Sequence, residues 1–73
     1  MEGFGNRLKK ARRAAGYRTP EAASIFAQLA SSSVRRWEDE ENFPTAPGLA
    51  AVCVLFKCSS DHLLGLQSGK GRG

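Results

Sequence analysis

Few residues in this 73-residue chain have the type and spacing that catalysis or metal binding requires. The single histidine, His62, has no serine, cysteine and acid partners at a spacing suited to nucleophilic catalysis, so we expect neither an enzyme nor a cofactor. Together with His62, Cys53 and Cys58 form a Cys-x4-Cys-x3-His pattern, which provides one ligand too few for a structural zinc site. The sequence therefore predicts two free, buried thiols and no metal.

The charged residues are unevenly distributed along the chain. Residues 1–18 contain six basic side chains and only one acid, whereas residues 38–41 are four consecutive acids. The net charge is +4, with an isoelectric point near 9.6. A clustered positive field attracts phosphate backbones or anionic lipid. Charge alone leaves a solvated helix face as the alternative.

The length of the chain limits the size of any site that its elements can form. Seventy-three residues make one small domain, with no room for a deep substrate cavity. The longest apolar run, 49–56, is far below the ~18 residues of a membrane span, and the N-terminus has no signal-peptide pattern. These features predict a soluble, cytoplasmic protein that contacts no membrane. We expect a domain at 1–66 and a flexible basic tail at 67–73, where no residue is apolar.

Apolar periodicity and helix-start residues predict five helices and no strand. In the first helix Phe4, Leu8, Ala11 and Ala15 form one stripe, and Gly16 can end it. Ser, Thr and Pro residues precede or open the later helices, as expected of helix N-termini. The predicted helices are 4–15, 20–27, 32–38, 46–57 and 60–64. This is an all-α, compact five-helix bundle.

Several short motifs occur in one order along residues 4–66. They are Arg7-Leu8-Lys9 with Arg12, Gly16-Tyr17, Glu21-Ala22-Ala23 with Phe26, Val34-Arg35-Arg36-Trp37-Glu38, Phe43-Pro44-Thr45 and Asp61-His62-Leu63-Leu64-Gly65. In this order they resemble the Cro/phage-repressor type of helix-turn-helix domain, the XRE-like family. The resemblance implies a lambda-repressor-like DNA-binding domain whose third helix, 32–38, lies in the major groove. It also implies that Arg12 and Glu38 form a packed pair joining the first and third helices.

Carried onto this sequence, the resemblance divides the polar residues into two groups. The residues expected to read bases are Ser31, Ser32, Arg35 and Arg36. Those expected to contact phosphate are Lys9, Arg13, Arg18, Thr19, Ser33 and Asn42. A guanidinium can bridge guanine O6 and N7, which makes the arginines better readers than the serines. The alternative role of the serines is helix capping. For Arg36 the alternatives are phosphate contact or a place on a solvated face. The basic residues of the first helix could instead serve only solubility.

Three features depart from the family pattern. The second helix fits in two registers: a gap-free match buries Ala23 and Ala27 and exposes Phe26, whereas a shifted match buries Phe26. We prefer the shifted match, because an exposed phenylalanine or isoleucine forgoes about 1.5–3 kcal/mol of burial. Ala30 occupies a common capping position, so we expect Ser31 to cap. The acids at 39–41 follow the third helix, where they repel phosphate.

The sequence therefore predicts sequence-specific binding of double-stranded DNA by a transcription regulator, a small repressor that acts by operator occlusion. A homodimer at least on DNA is expected, with Leu63, Leu64 or Leu66 as the contact between copies and core packing as the alternative for these leucines. No small-molecule ligand is expected. The competing hypothesis is a protein–protein adaptor, or antitoxin-type partner, that retains the fold with weak or no DNA binding.

Overall fold

Five helices follow one another along the chain. A computed structural model describes residues 3–66, and within them the helices are α1 (Phe4–Ala14), α2 (Pro20–Phe26), α3 (Ser33–Glu38), α4 (Ala46–Phe56) and α5 (Ser60–Leu64), with no strand. The all-α, five-helix prediction is confirmed. The predicted tail at 67–73 lies outside the described residues.

Helices α2, α4 and α5 begin directly after a residue whose hydroxyl caps the first turn. Thr19 accepts a hydrogen bond from the Ala22 N–H at 3.1 Å, and Ser59 accepts one from the His62 N–H at 3.1 Å. Proline follows closely behind the threonine caps of α2 and α4. Helices α1 and α3 have no cap from their own preceding residue. Their first turns are instead capped from elsewhere in the fold, as described below.

All five described helices end in the same motif, in which a residue with positive φ precedes an N–H that donates to the carbonyl five residues earlier. The donors are Tyr17, Leu29, Glu41, Cys58 and Leu66, at 2.8–3.1 Å. The positive-φ residues are Gly16, Gln28, Glu40, Lys57 and Gly65. The predicted helices ending at 15, 27 and 57 each run one residue too far, because that residue already belongs to the turn.

All five described helices contribute side chains to the core. Its buried apolar residues are Phe4, Leu8, Ala23, Val34, Trp37, Val52, Phe56 and Leu63. α1 crosses the end of α3 so closely that a Cβ on Gly5 would lie 2.0 Å from the Glu38 carbonyl oxygen. Only glycine fits at this crossing, so Gly5 sets how near α1 and α3 can approach.

The preferred register of α2 is wrong. Ala23 and Ser24 are fully buried, whereas Ile25 and Phe26 are 62% and 68% exposed. Small residues on the inner face let α2 pack close to α3, and bulky side chains there would separate the two helices. The Phe26 ring instead lies against Tyr17, with ring centroids 5.6 Å apart. The gap-free match agrees with the burial of Ala23 and the exposure of Phe26, whereas Ala27, which it also buries, is only partly buried.

The leucines near the C-terminal helix have unequal burial. Leu63 is fully buried, Leu64 is partly buried against the core, and Leu66 is 64% exposed. The expectation that Leu63 forms a contact between copies is therefore wrong, because its side chain fills the core. Arg7 on α1 reinforces this region, since its Nε donates to the Leu63 carbonyl at 2.9 Å. No described helix has the length and hydropathy that crossing a bilayer demands.

Candidate nucleic-acid interface

The Arg12–Glu38 ion pair fixes α3 against α1. The Arg12 Nε lies 2.7 Å from the Glu38 Oε2, and Nη2 lies 3.3 Å from Oε1. Both side chains are almost completely buried, at 3% and 4% exposure. Nη1 of Arg12 also donates to the Tyr17 carbonyl at 2.8 Å. The structure thus brings together the two residues that the sequence predicts to pair, and the guanidinium is satisfied on two edges.

The first turn of α3 is capped by Ser24 of α2. The Ser24 Oγ donates to the Pro20 carbonyl at 2.9 Å and accepts from the Val34 N–H at 3.0 Å. The prediction that Ser31 caps this helix is wrong, because Ser24 supplies the cap. Sequence reasoning missed Ser24. Pro20, Ala23 and Ser24 lie on one stripe of α2, and the small size of these side chains could have indicated the buried face.

Because Ser24 caps α3, the serines before the helix keep their hydroxyls available. Ser31 and Ser32 are exposed, and their side chains make no hydrogen bond within residues 3–66. Ser33, the first residue of α3, is partly buried. The Arg36 N–H donates to the Ser32 carbonyl at 3.1 Å, so Arg36 follows Ser32 by one helical turn. Ser32 and Arg36 therefore share the exposed side of α3, opposite buried Val34 and Trp37.

The two adjacent arginines of α3 differ in their surroundings. Arg36 is exposed and makes no side-chain hydrogen bond or ion pair in the part of the chain that the structure describes. Arg35 is also exposed, but it binds Glu21 of α2 through two hydrogen bonds. The hydrogen bond from Arg35 lowers the pKa of Glu21, and the same bond raises the pKa of Arg35. Both groups therefore stay charged across neutral pH.

A basic groove lies where α1 turns into α2. Arg13, Gly16, Tyr17 and Arg18 line an open groove of about 340 Å³. Arg13 and Arg18 are exposed, so both guanidiniums can reach a phosphate there. Thr19 follows immediately; its hydroxyl accepts a bond from α2 and keeps its own proton to donate. Lys9, partly buried, lies one turn before Arg13 on α1.

The acids after α3 are less available to a ligand than the sequence suggests. Glu38 is buried in its ion pair with Arg12, and the Glu40 Oε2 accepts a hydrogen bond from the Gly5 N–H at 2.8 Å. Glu40 thus caps the first turn of α1. Asp39, Glu41 and Asn42 remain exposed. The acid run is therefore partly structural.

Cys53 lies near the end of α4, and Cys58 lies in the turn between α4 and α5. Cys53 and Cys58 are free and partly buried. Burial raises the pKa of both thiols, which keeps them protonated at neutral pH. Within residues 3–66, no cluster of three or more His, Cys, Asp or Glu side chains could hold a metal ion.

Comparisons of the chain with family models, with curated proteins and with solved structures found no significant match. The resemblance to the XRE-like family and the roles it implies stay predictions. The geometry of the described residues is the basis for assigning a function.

Proposed function

We propose that this protein is a sequence-specific double-stranded DNA-binding protein of the helix-turn-helix type that regulates transcription. The observation that carries the proposal is the exposed side of α3, where Ser32, Arg35 and Arg36 project away from the core. A short helix with arginines on its outer face suits the major groove, where a guanidinium can bridge guanine O6 and N7.

The supports of α3 favour this role. Val34 and Trp37 bury its inner side, Ser24 caps its start, and the Arg12–Glu38 pair fixes its end. A reading helix held at both ends keeps its outer side chains in place, and such preorganisation reduces the entropy lost on binding.

The basic residues near α3 are proposed to have two roles, base reading and phosphate contact. The groove with Arg13 and Arg18 adds two exposed cations at the other end of α2 from the turn into α3. In this proposal these cations and Lys9 contact phosphates, and Arg36 reads a base. A small DNA-binding domain bound across a promoter would block polymerase, which makes repression by operator occlusion the proposed mode of regulation.

Two copies on a two-fold-related site complete the proposal. A single short reading helix contacts few base pairs, so we expect half-sites one helical turn, about 34 Å, apart. Leu66 is the exposed residue that remains from the predicted contact between copies. A selected site without dyad symmetry, protected by one protomer, would count against a dimer on DNA.

The test starts by selecting bound sequences from a random duplex pool with the full chain. Binding to the selected site and to a scrambled duplex is then measured at two salt concentrations for wild type, Arg36→Ala and Arg13→Ala. Arg36→Ala should lose about 1–3 kcal/mol on the selected site and relax preference at one base pair. Arg13→Ala should weaken both duplexes alike and lower the salt slope by about one. Equal losses on both duplexes for Arg36→Ala would make Arg36 a phosphate contact.

A protein–protein adaptor is the second candidate, and an exposed apolar groove favours it. Phe26 and Val54, 68% and 78% exposed, line an open groove of about 410 Å³ between the end of α2 and the outer side of α4. Apolar side chains grouped in this way are frequent at protein contacts. The adaptor is favoured if duplex binding by wild type shows no sequence preference and the selection yields no site.

A further inference from the structure

The contact between Arg35 and Glu21 uses one edge of the guanidinium and leaves the other open. The Arg35 Nε lies 2.5 Å from the Glu21 Oε2, and Nη2 lies 3.3 Å from Oε1. A guanidinium has five N–H donors in one plane, and this pair occupies the edge formed by Nε and Nη2. The edge formed by Nη1 and the second Nη2 proton has no partner within residues 3–66.

The open edge has the geometry of a guanine reader. Guanine presents O6 and N7 side by side in the major groove, and two parallel N–H groups of an arginine can bind both. Arg35 has a 55% exposed side chain, so this edge is accessible to a ligand. Its partner belongs to the first turn of α2, so the direction of the guanidinium is set by a second helix.

We propose that Glu21 is a positioning residue that holds Arg35 in the orientation in which its free edge reads a guanine. This inference rests on the proposed function and adds a specificity-determining residue to it. Without Glu21, the long arginine side chain samples many rotamers and loses that freedom when it binds. With Glu21, part of that loss has already occurred in the free protein.

The pair also separates sequence preference from general attraction to DNA. Glu21 neutralises Arg35, so together they add no net charge to the counterion-release term that governs non-specific binding. Arg36 has no such partner and adds a full positive charge. Arg35 therefore contributes mainly to discrimination between sequences, whereas Arg36 contributes to both discrimination and general affinity.

The experiment compares Glu21→Gln with Glu41→Gln in the full chain. Glu41 is exposed, its side chain has no partner among the described residues, and its replacement changes the net charge by the same amount. Affinities for the selected duplex and a scrambled duplex are measured for wild type and both variants. Both variants should bind the scrambled duplex more tightly than wild type, because each removes one negative charge.

The two variants should differ in specificity, defined as the ratio of the two affinities. Glu41→Gln should lower this ratio only slightly, because one exposed charge is lost, and Glu21→Gln should lower it about 5- to 150-fold, the range of one bidentate base contact. Adding Glu21→Gln to Arg35→Ala should cause no further loss of the ratio. A purely structural role of Glu21 would instead lower the affinity for both duplexes together.

A measurement on the free protein keeps the inference testable without DNA. The Nε–H resonance of Arg35 should be protected from solvent exchange in wild type and in Glu41→Gln, and lose that protection in Glu21→Gln. Equal specificity ratios for the two variants, or no change in this resonance, would overturn the inference while the proposed function stands. A wild-type protein that selects no sequence would overturn both.

Discussion

Replacing Glu38 with alanine should strongly destabilise the protein, because it leaves the Arg12 guanidinium buried without its anionic partner. Arg12 keeps one hydrogen bond, from Nη1 to the Tyr17 carbonyl at 2.8 Å. Its Nε and Nη2 lose partners at 2.7 and 3.3 Å, and water reaches only 3% of the arginine side chain.

The expected loss follows from the burial of the pair. Breaking a buried pair by removing one partner costs about 3–5 kcal/mol, whereas an exposed pair is worth about 0–1 kcal/mol. We expect about 3 kcal/mol for Glu38→Ala, near the lower limit, since the Tyr17 carbonyl still accepts a hydrogen bond. For a domain of this size this corresponds to a fall in Tm of roughly 12–24 °C.

Urea denaturation followed by Trp37 fluorescence measures this loss, because Trp37 is the only tryptophan and is buried next to Glu38. Glu41→Ala, an exposed acid three residues later, is the matched control and should change the free energy of unfolding by less than about 0.5 kcal/mol. The double variant Arg12→Met, Glu38→Leu should be more stable than Glu38→Ala, because it leaves no unpaired buried charge. A loss below about 1 kcal/mol for Glu38→Ala would refute the reasoning.

Three further predictions concern stability. Ser24→Ala removes the hydroxyl that caps α3 and should cost about 1–3 kcal/mol by urea denaturation, because a buried N–H loses its acceptor; a cost near zero would indicate that water replaces the hydroxyl. Glu40→Ala removes the carboxylate that caps α1 and should cost about 0.5–2 kcal/mol, clearly more than Glu41→Ala in the same assay. Burial raises the pKa of Cys53 and Cys58 above 9.0, so their contribution to stability is complete below pH 9.0 and is lost as the pH rises through the folded-state pKa. Between pH 8 and 10.5 the wild type should therefore lose more stability than a variant with alanine at both cysteines, and parallel losses would contradict the burial.

The helices could be predicted because their signals are local. An apolar stripe with a period near 3.6 residues marks α1, and a broad apolar face marks α4. Thr19, Thr45 and Ser59 mark helix starts through hydrogen bonds within three residues. Where the signal lies far along the chain, prediction fails. The caps of α1 and α3 come from Glu40 and Ser24, which lie 35 and 10 residues from the amides they bind.

The error in the α2 register has a specific physical origin. The prediction assigned the inner face to the largest apolar side chains, since burial of each is worth about 1.5–3 kcal/mol. The fold instead brings α2 close enough to α3 for the Ser24 hydroxyl to bind the Val34 amide at 3.0 Å. At this separation only small side chains such as Ala23 fit between the helices. Phe26 recovers part of its burial against Tyr17.

For the candidate site residues, the sequence predicts which side of a helix they occupy better than it predicts their side-chain partners. The exposed side of α3 follows from the alternation of Val34 and Trp37 with polar residues, and the structure places Ser32 and Arg36 there as expected. The sequence treats Arg35 and Arg36 alike. Only the folded chain distinguishes them, because Glu21 comes 14 residues earlier and reaches Arg35 through the packing of α2 on α3.

Two of the four acids near the proposed interface have structural roles that depend on their partners in the fold. As four consecutive residues, 38–41 suggest a negative surface that repels phosphate beside a DNA-reading helix. In the fold, Glu38 neutralises a buried arginine and Glu40 binds a helix amide, so both are needed for the position of α3 against α1. Reversing the charge of Glu40 would therefore disturb the fold as well as the surface field.

Reversing Glu41 alone changes the field at an exposed position, which makes Glu41→Lys the variant that tests whether acids near α3 suppress non-specific binding. It should tighten binding to a scrambled duplex more than to the selected site and so lower the specificity ratio, with an unchanged urea midpoint. An equal gain on both duplexes would show that the acid at this position opposes all DNA alike and contributes nothing to specificity.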